Sequence, residues 1–197
     1  MQSRAAHLFS DGEAAYASGD TFNWPIAKIS PVPHLNLIVC ARGSALGSAL
    51  APQAIAANGR SFDEAREKAP ETLRRLLHEL SASPVGAFEM YVAGWASNGP
   101  AAWMIQNTES HGLPAFSAVD IDGSAFVPGE PDLIGQIVAG LPPHYKNLDD
   151  LDIEHEASRI AEVWRNSPGD LRPGKFITLA TVSETKITQR IIKRWDQ

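Results

Sequence analysis

Residues able to do chemistry are scattered along this 197-residue chain, and no spacing joins them into a catalytic or ligand-binding pattern. The six histidines do not have the H-E-x-x-H spacing of a zinc site, and the chain has no phosphate-binding G-x-x-x-x-G-K-[ST], no G-x-G-x-x-G and no G-x-S-x-G. We therefore expect no metal, no nucleotide and no other cofactor. The histidines are His7, His34, His78, His111, His144 and His155.

Two other groups of reactive residues have simpler structural interpretations. Cys40 stands in the apolar run Leu35 to Ala41 with no adjacent His or Lys to lower the thiol pKa, which favours a small buried hydrophobic residue over a reactive thiol. Asp120 and Asp122 alternate along a strand candidate and could form a metal-binding or acid–base pair. Since Asp122 precedes Gly123, the pattern favours a tight turn.

The composition is that of an ordinary globular protein, with 44% hydrophobic and 20% charged residues. A net charge of -6 argues against nucleic acid or an anionic membrane as a partner. The single cysteine excludes an internal disulfide, and no apolar run is long enough for a membrane span or a signal peptide. We expect one domain over residues 1–197, located in the cytoplasm.

A central hairpin organises the predicted elements. Apolar runs flank the turn Ser97-Asn98-Gly99, so residues Phe88 to Asn107 predict two buried antiparallel strands. The run Leu35 to Ala41 predicts another buried strand, and shorter strands are predicted for Arg4 to Ser10 and Glu13 to Tyr16.

Helical patterns precede and follow this hairpin. Ser44 to Asn58 is rich in Ala and Leu, and Ser61 begins an S-x-x-E capping box followed by an apolar stripe as far as Leu80, with Pro70 expected to bend or divide the helix. Two later helices are predicted, one from Pro131 and one over Leu148 to Asn166. The strands predicted in the second half are Ala115 to Ile121, Ala125 to Val127, Phe176 to Val182 and Ile187 to Trp195.

Short motifs stand at characteristic points of this element order. They are Ser10-Asp11-Gly12 after an early strand, Lys28 on the next strand, Ala41-Arg42-Gly43 before the first long helix, Ala93-Gly94-Trp95 with Gly99-Pro100 in the central hairpin, and Asp170 ahead of Pro173-Gly174. In order and in these motifs the chain resembles the proteasome β-subunit family of N-terminal-nucleophile (Ntn) hydrolases. The resemblance implies an α+β fold, a four-layer αββα sandwich of antiparallel sheets between helical layers.

The same resemblance implies a catalytic role for three charged residues. In the family, an N-terminal Thr, Ser or Cys supplies both nucleophile and base, and a lysine held by an aspartate lowers the nucleophile's pKa. Lys28 would be that lysine, Asp11 its partner, and Asp170 a supporting residue. Residue types alone favour simpler roles: Lys28 as a charge at a strand edge, Asp11 as a turn residue and Asp170 as a helix breaker.

The chain also departs from the family pattern. Only ten residues precede Asp11, so we expect the first strand to be truncated, and Met1 followed by Gln2 offers no terminal nucleophile. Pro173 stands in place of the serine of the late motif.

Two functional interpretations therefore remain open. The chain is either a non-catalytic or relic proteasome-like subunit, or an active threonine- or serine-type peptidase or amidohydrolase whose true N-terminus lies upstream of Met1. The resemblance also implies a homo-oligomer, either a ring or a dimer, with a peptide as the substrate of an active form. The Ala-rich helix with Leu46, Leu50 and Ile55 offers an apolar surface for association.

Overall fold

The computed structural model describes residues 1–15, 21–81, 85–123, 135–137, 139–140, 148–167 and 174–195. The strands of this part of the chain pair only in the antiparallel sense. Their bounds are β1 Ala6–Asp11, β2 Glu13–Ala15, β3 Thr21–Pro25, β4 Ile29–Val32, β5 Leu37–Gly43, β6 Phe88–Ala96, β7 Gly99–Gln106, β8 Val119–Asp120, β9 Phe176–Val182 and β10 Ile187–Arg194.

These strands form two sheets and a separate ribbon. The larger sheet has five strands in the order β4-β5-β6-β7-β8, the smaller has the order β1-β9-β10, and β2 pairs with β3. Strand β1 contacts β5, β6 and β7, so the smaller sheet lies against the larger one. Between them is an apolar cluster that includes Ile29, Ile38, Ala93 and Val182.

Three α-helices have bounds in the described chain: α1 Ala45–Asn58, α2 Phe62–Glu79 and α3 Ile153–Asn166. Helix α1 packs on β5 and β6, and α2 packs on β6 and β7. Helix α3 contacts β1, β9 and β10 of the smaller sheet. Residues 135–137 and 139 are also helical.

The largest core cluster lies between the five-stranded sheet and helices α1 and α2. Alternate residues of β6 enter it, because side chains of a strand point to opposite faces in turn. Phe88, Met90 and Val92 therefore face the helices, whereas Ala93 belongs to the cluster between the sheets. Leu73 of α2 is completely buried, and burial of one such side chain contributes about 1.5–3 kcal/mol.

The strongest sequence signals are confirmed. The central hairpin pairs from Glu89 opposite Gln106 to Ala96 opposite Gly99. At the start of α2, the Ser61 side chain accepts a hydrogen bond from the Glu64 N–H at 3.2 Å, as a capping box requires. Pro70 does not divide the helix, which continues to Glu79.

Several predicted boundaries are wrong, and each has a local cause. Residues Pro33–Leu35 form a 3-10 turn, so the buried strand begins only at Leu37. Of the strand predicted over Ala115 to Ile121, only β8 forms, since Phe116 has positive φ and breaks the extended chain. Helix α3 begins at Ile153, because the Asp152 carboxylate caps the helix by accepting from the N–H groups of residues 154 and 155.

One surface prediction also fails. Ile55 is 1% exposed and lies in the core under α1, so it cannot form part of an association surface. Leu46 is 37% exposed and remains available. The predicted strand Ala125 to Val127 and the start of the Pro131 helix lie outside the described residues.

Candidate functional site

Lys28 and Asp11 form an ion pair at one end of β1. The Lys28 Nζ lies 2.6 Å from Asp11 Oδ1, with the lysine side chain 26% exposed and the aspartate 8%. The other carboxylate oxygen, Oδ2, accepts a hydrogen bond from the Gly174 N–H at 3.2 Å. The two oxygens of Asp11 are thus fixed from both sides, which holds the ammonium of Lys28 at a defined place.

The backbone around Gly12 brings these two residues together. The Gly12 N–H donates to the Phe176 carbonyl at 2.8 Å, and the Gly12 carbonyl accepts from the Ile26 N–H at 3.1 Å. The first bond continues the pairing of β1 with β9, and the second draws the segment containing Lys28 towards Asp11. Glycine is needed here because a Cβ would lie 2.1 Å from the ring of Phe176.

A hydroxyl and a thiol lie beside this ion pair. The Ser10 hydroxyl donates to the Asp11 carbonyl at 3.2 Å, and Ser10, Lys28 and Asp11 are all near enough to Cys40 to affect the pKa of its thiol. Burial nevertheless raises the pKa of Cys40, because the effect of burial is larger than the lowering of the pKa by Ser10 and Lys28. Cys40 is thus a protonated thiol packed against the core between the sheets, in keeping with the interpretation of a small hydrophobic residue.

The other candidate residues either lie outside the described part of the chain or have partners elsewhere. Asp170 lies outside the described residues. Asp120 forms two hydrogen bonds with the Arg66 guanidinium, at 2.7 and 2.8 Å, and so ties β8 to α2. Asp122 precedes Gly123, whose φ of 78° is that of a turn. Within the described chain, no three His, Cys, Asp or Glu side chains are grouped as metal ligands.

A second polar cluster, centred on Glu89, was not predicted from the sequence. Glu89 Oε2 accepts a hydrogen bond from the Tyr91 hydroxyl at 2.8 Å and lies 3.2 Å from Arg42 Nε, while Oε1 lies 2.9 Å from His111 Nε2. Burial opposes the charge on Glu89, but Tyr91, Arg42 and His111 together hold its pKa below the usual value. The pKa of Tyr91 is raised, first by burial and then by Glu89. We call Arg42, Glu89, Tyr91 and His111 the Glu89 cluster.

The Glu89 cluster is connected to the Lys28 region through Cys40. Cys40 pairs with Tyr91 across β5 and β6, and Arg42 pairs with Glu89 two residues along the same strands. These side chains share one face of the sheet, because residues two apart along a strand point the same way. The only sequence signal for this cluster was the alternation of polar residues at the ends of two otherwise apolar strands.

The first residues of the chain occupy the opposite end of β1. The Met1 α-amine donates to the Gly123 carbonyl, and the Gln2 side-chain amide donates to the Leu151 carbonyl at 2.8 Å. From Ala6 to Asp11 the strand advances about 17 Å, at about 3.3 Å per residue. The Met1 ammonium lies near His7, four residues before Asp11 on β1, since its charge adds to burial in lowering the pKa of that ring.

The chain is similar to known proteins in structure but not in sequence. No family model matches the chain, and no curated protein matches it in sequence. Its structure is similar to that of Anbu (ancestral beta-subunit) from Yersinia bercovieri, with a TM-score of 0.68, 15% identity, and coverage of 97% of this chain and 84% of that chain. The chain has a proteasome-like fold. At this level of identity the proteasome-like neighbour supports the fold alone.

Within the described residues, no helix combines the length and apolar character that crossing a membrane requires.

Proposed function

We propose that this chain is a non-catalytic or relic proteasome-like subunit, with the four-layer αββα arrangement, in which Lys28 and Asp11 remain from a terminal-nucleophile site. The observation that carries the proposal is that the Met1 amine donates to the Gly123 carbonyl, whereas the Lys28 ammonium is held by Asp11. An Ntn mechanism needs an α-amine and a hydroxyl or thiol on one residue beside the lysine. Met1 has an amine but carries a thioether.

Neighbouring side chains do not replace that residue. Ser3 has a hydroxyl, but its nitrogen is in a peptide bond and donates to the Asp149 carboxylate. Cys40 lies close to Lys28, yet its raised pKa keeps the thiol protonated and weakly nucleophilic. Neither residue therefore offers Lys28 an α-amine and a reactive nucleophile together.

The same geometry supports an alternative, an active threonine- or serine-type peptidase or amidohydrolase whose nucleophile belongs to a segment upstream of Met1. The supporting observation is that the Lys28–Asp11 pair is intact, with the lysine still partly accessible. In that case Asp170 would support the site. An intact mass above 21.3 kDa for the protein isolated from its source would favour this alternative.

A direct assay tests the proposal on the chain as given. We expect no turnover of peptide–coumarin substrates and no adduct with an epoxyketone, because loss of one member of a cooperating catalytic set costs several orders of magnitude in rate. Lys28→Ala is the test variant. Lys68→Ala, which removes an exposed lysine paired with Glu64 on α2, is the matched control.

Two results would contradict the proposal. One is turnover that Lys28→Ala abolishes and Lys68→Ala preserves. The other is a covalent adduct, which peptide mapping would place on a nucleophile such as Ser10 or Cys40. We further propose that the subunit works as a homo-oligomer, a ring or a dimer, in the cytoplasm.

A further inference from the structure

Two Asn-Gly pairs occur in the chain, Asn58-Gly59 at the end of α1 and Asn98-Gly99 at the turn between β6 and β7. An asparagine followed by glycine can react within its own backbone, because glycine has no Cβ to obstruct the approach of its nitrogen to the preceding side chain. The two pairs share this chemistry. Their surroundings in the fold differ in the features on which the reaction depends.

The reaction joins the asparagine side chain to the next peptide nitrogen. The glycine nitrogen loses its proton and bonds to the side-chain carbonyl carbon, and the bond from that carbon to the side-chain nitrogen breaks. Ammonia leaves with the proton, and the product is a five-membered succinimide. Water then opens this ring at one of its two carbonyls and gives aspartate or isoaspartate. Water is therefore the only co-reactant.

The side chain of Asn58 is held away from Gly59. Its amide nitrogen donates to the Ala54 carbonyl at 2.7 Å, and its amide oxygen accepts from Arg75 Nη2 at 2.6 Å. A near-attack geometry, with reacting atoms about 3–3.5 Å apart, requires the side chain to leave these partners. The amide of Asn58 is thus restrained by contacts to both α1 and α2.

The backbone of Gly59 is confined as well. A Cβ at this position would lie 3.0 Å from the Ala65 Cβ and 3.2 Å from the Ala65 nitrogen, so Gly59 packs directly on α2. Closing a succinimide ring rotates the backbone on both sides of the glycine nitrogen. Helix α2 restricts that rotation at Gly59.

Asn98 is exposed at the tip of the central hairpin. In the described part of the chain, no hydrogen-bond partner of its side chain is seen. A Cβ built on Gly99 would meet no atom within 4 Å, and the φ of Gly99 is 121°, outside the range of a regular strand. The Asn98 side chain can therefore approach the Gly99 nitrogen, and the tip has room for the ring.

We propose that Asn98 is a site of spontaneous succinimide formation, which converts it to aspartate or isoaspartate, and that the fold protects Asn58 from the same reaction. This chemistry uses neither residue of the Lys28–Asp11 pair and is independent of the proposed function.

The modification would act on the contact between the hairpin and α2. The Ser97 N–H donates to the Asp63 carboxylate at 2.9 Å, and Asp63 lies in the first turn of α2. Conversion of Asn98 adds a negative charge at the residue after Ser97. Repulsion between this charge and Asp63 should weaken the contact.

Peptide mapping by mass spectrometry during incubation at mildly alkaline pH follows both sites in one sample of the folded protein. We expect Asn98 to react at least about tenfold faster than Asn58, because two hydrogen bonds at Asn58, one from a charged donor, must break first. In urea neither side chain has fixed neighbours, so the two rates should converge.

Arg75→Gln tests the protection of Asn58. It removes the charged donor to the Asn58 side chain and should raise the rate at Asn58 by at least about threefold, with the rate at Asn98 unchanged. Lys68→Gln is the matched control, because it removes an exposed cation of the same helix that is paired with Glu64. Circular dichroism shows whether each variant is folded.

Equal rates at Asn98 and Asn58 in the folded protein would overturn the proposal, as would a faster reaction at Asn58. A rate ratio that is the same in urea would mean that flanking sequence sets it, and the protective role of the fold would be rejected. Hydrogen exchange tests the consequence for α2: the Ser97 N–H should exchange faster in protein modified at Asn98, and unchanged exchange would reject the weakened contact.

Discussion

His7 has a protonation state that is set by the fold. Its ring lies 2.9 Å from the Thr181 hydroxyl and 3.1 Å from the Gln2 side-chain oxygen. Burial, with a smaller effect of the chain's terminal ammonium, lowers the pKa of His7 to about 4 from 6.5. The folded chain therefore favours the neutral imidazole.

This shift predicts a loss of stability in acid. A lowered pKa means that the unfolded chain binds the proton more tightly, so the contribution of His7 is complete above pH 6.5 and is lost progressively as the pH falls towards 4. Between pH 7.5 and 4.5 we expect the chain to lose about 2–3 kcal/mol more unfolding free energy than His7→Gln, measured by urea denaturation. Equal losses in the two proteins would show that His7 is not held neutral.

Sequence reasoning found only part of the candidate site at the residue scale. The pairing of Lys28 with Asp11 was predicted through the family resemblance, and the contact at 2.6 Å confirms their proximity but does not test a catalytic role. The Glu89 cluster could not be predicted, because Arg42, Glu89 and His111 come together only through strand register and a turn with positive φ. Neither of these is encoded in the spacing of residue types.

Gly94 shows how one residue fixes the packing of two elements. A Cβ at this position would lie 2.5 Å from the Phe62 ring and 2.8 Å from the Asn36 carbonyl oxygen. The start of α2 therefore packs directly on the backbone of β6, and the neighbouring β5 cannot withdraw because it is paired there. In the sequence Gly94 stood out only as part of the motif Ala93-Gly94-Trp95, whereas the structure shows why no larger residue fits there.

We expect Gly94→Ala to destabilise the chain by about 1–3 kcal/mol, the usual cost of overpacking a core. Thermal or urea denaturation would measure it. Gly86→Ala is the control, because its Cβ would meet Ser44 Cβ at an ordinary 3.6 Å. A Gly94→Ala variant as stable as Gly86→Ala would mean that α2 can shift on the sheet without cost.

Element prediction succeeded where local chemistry decides the outcome. The Ser61 cap and the turn between β6 and β7 depend on neighbours in sequence, and both are confirmed, although the Glu64 side chain accepts from the Arg60 N–H and not from that of Ser61. The start of α3 was placed too early because an acidic, apolar stretch from Leu148 has helical periodicity. The Asp152 cap then determines where the hydrogen-bonded helix begins.

At the scale of the molecule, the order of elements was predictable but the pairing of distant strands was not. Strand β1 pairs with β9 from Ala6 opposite Val182 to Asp11 opposite Ile177, residues more than 160 positions apart. Apolar and polar residues that alternate with a period of two identify a strand and its faces, but this alternation does not show which other strand lies beside it. The family resemblance implied an arrangement of layers but no pairing of β1 with β9, and the structural similarity to Anbu supports a proteasome-like fold.

The last prediction concerns association of whole chains. Helix α1 packs its Ala51 and Ile55 side into the core, while Leu46 remains 37% exposed near its N-terminal end. If α1 forms an interface between copies, a charge at Leu46 would have to be buried there at a large desolvation cost.

Light scattering at micromolar concentration should give a multiple of 21.3 kDa for the chain and a lower mass for Leu46→Glu. Ile191→Glu, at a similarly exposed position on β10, should leave the mass unchanged. A monomer mass for the unaltered chain would reject the oligomer. If Leu46→Glu and Ile191→Glu lowered the mass equally, association would not depend specifically on α1, because a new charge on β10 would have the same effect as one on the helix.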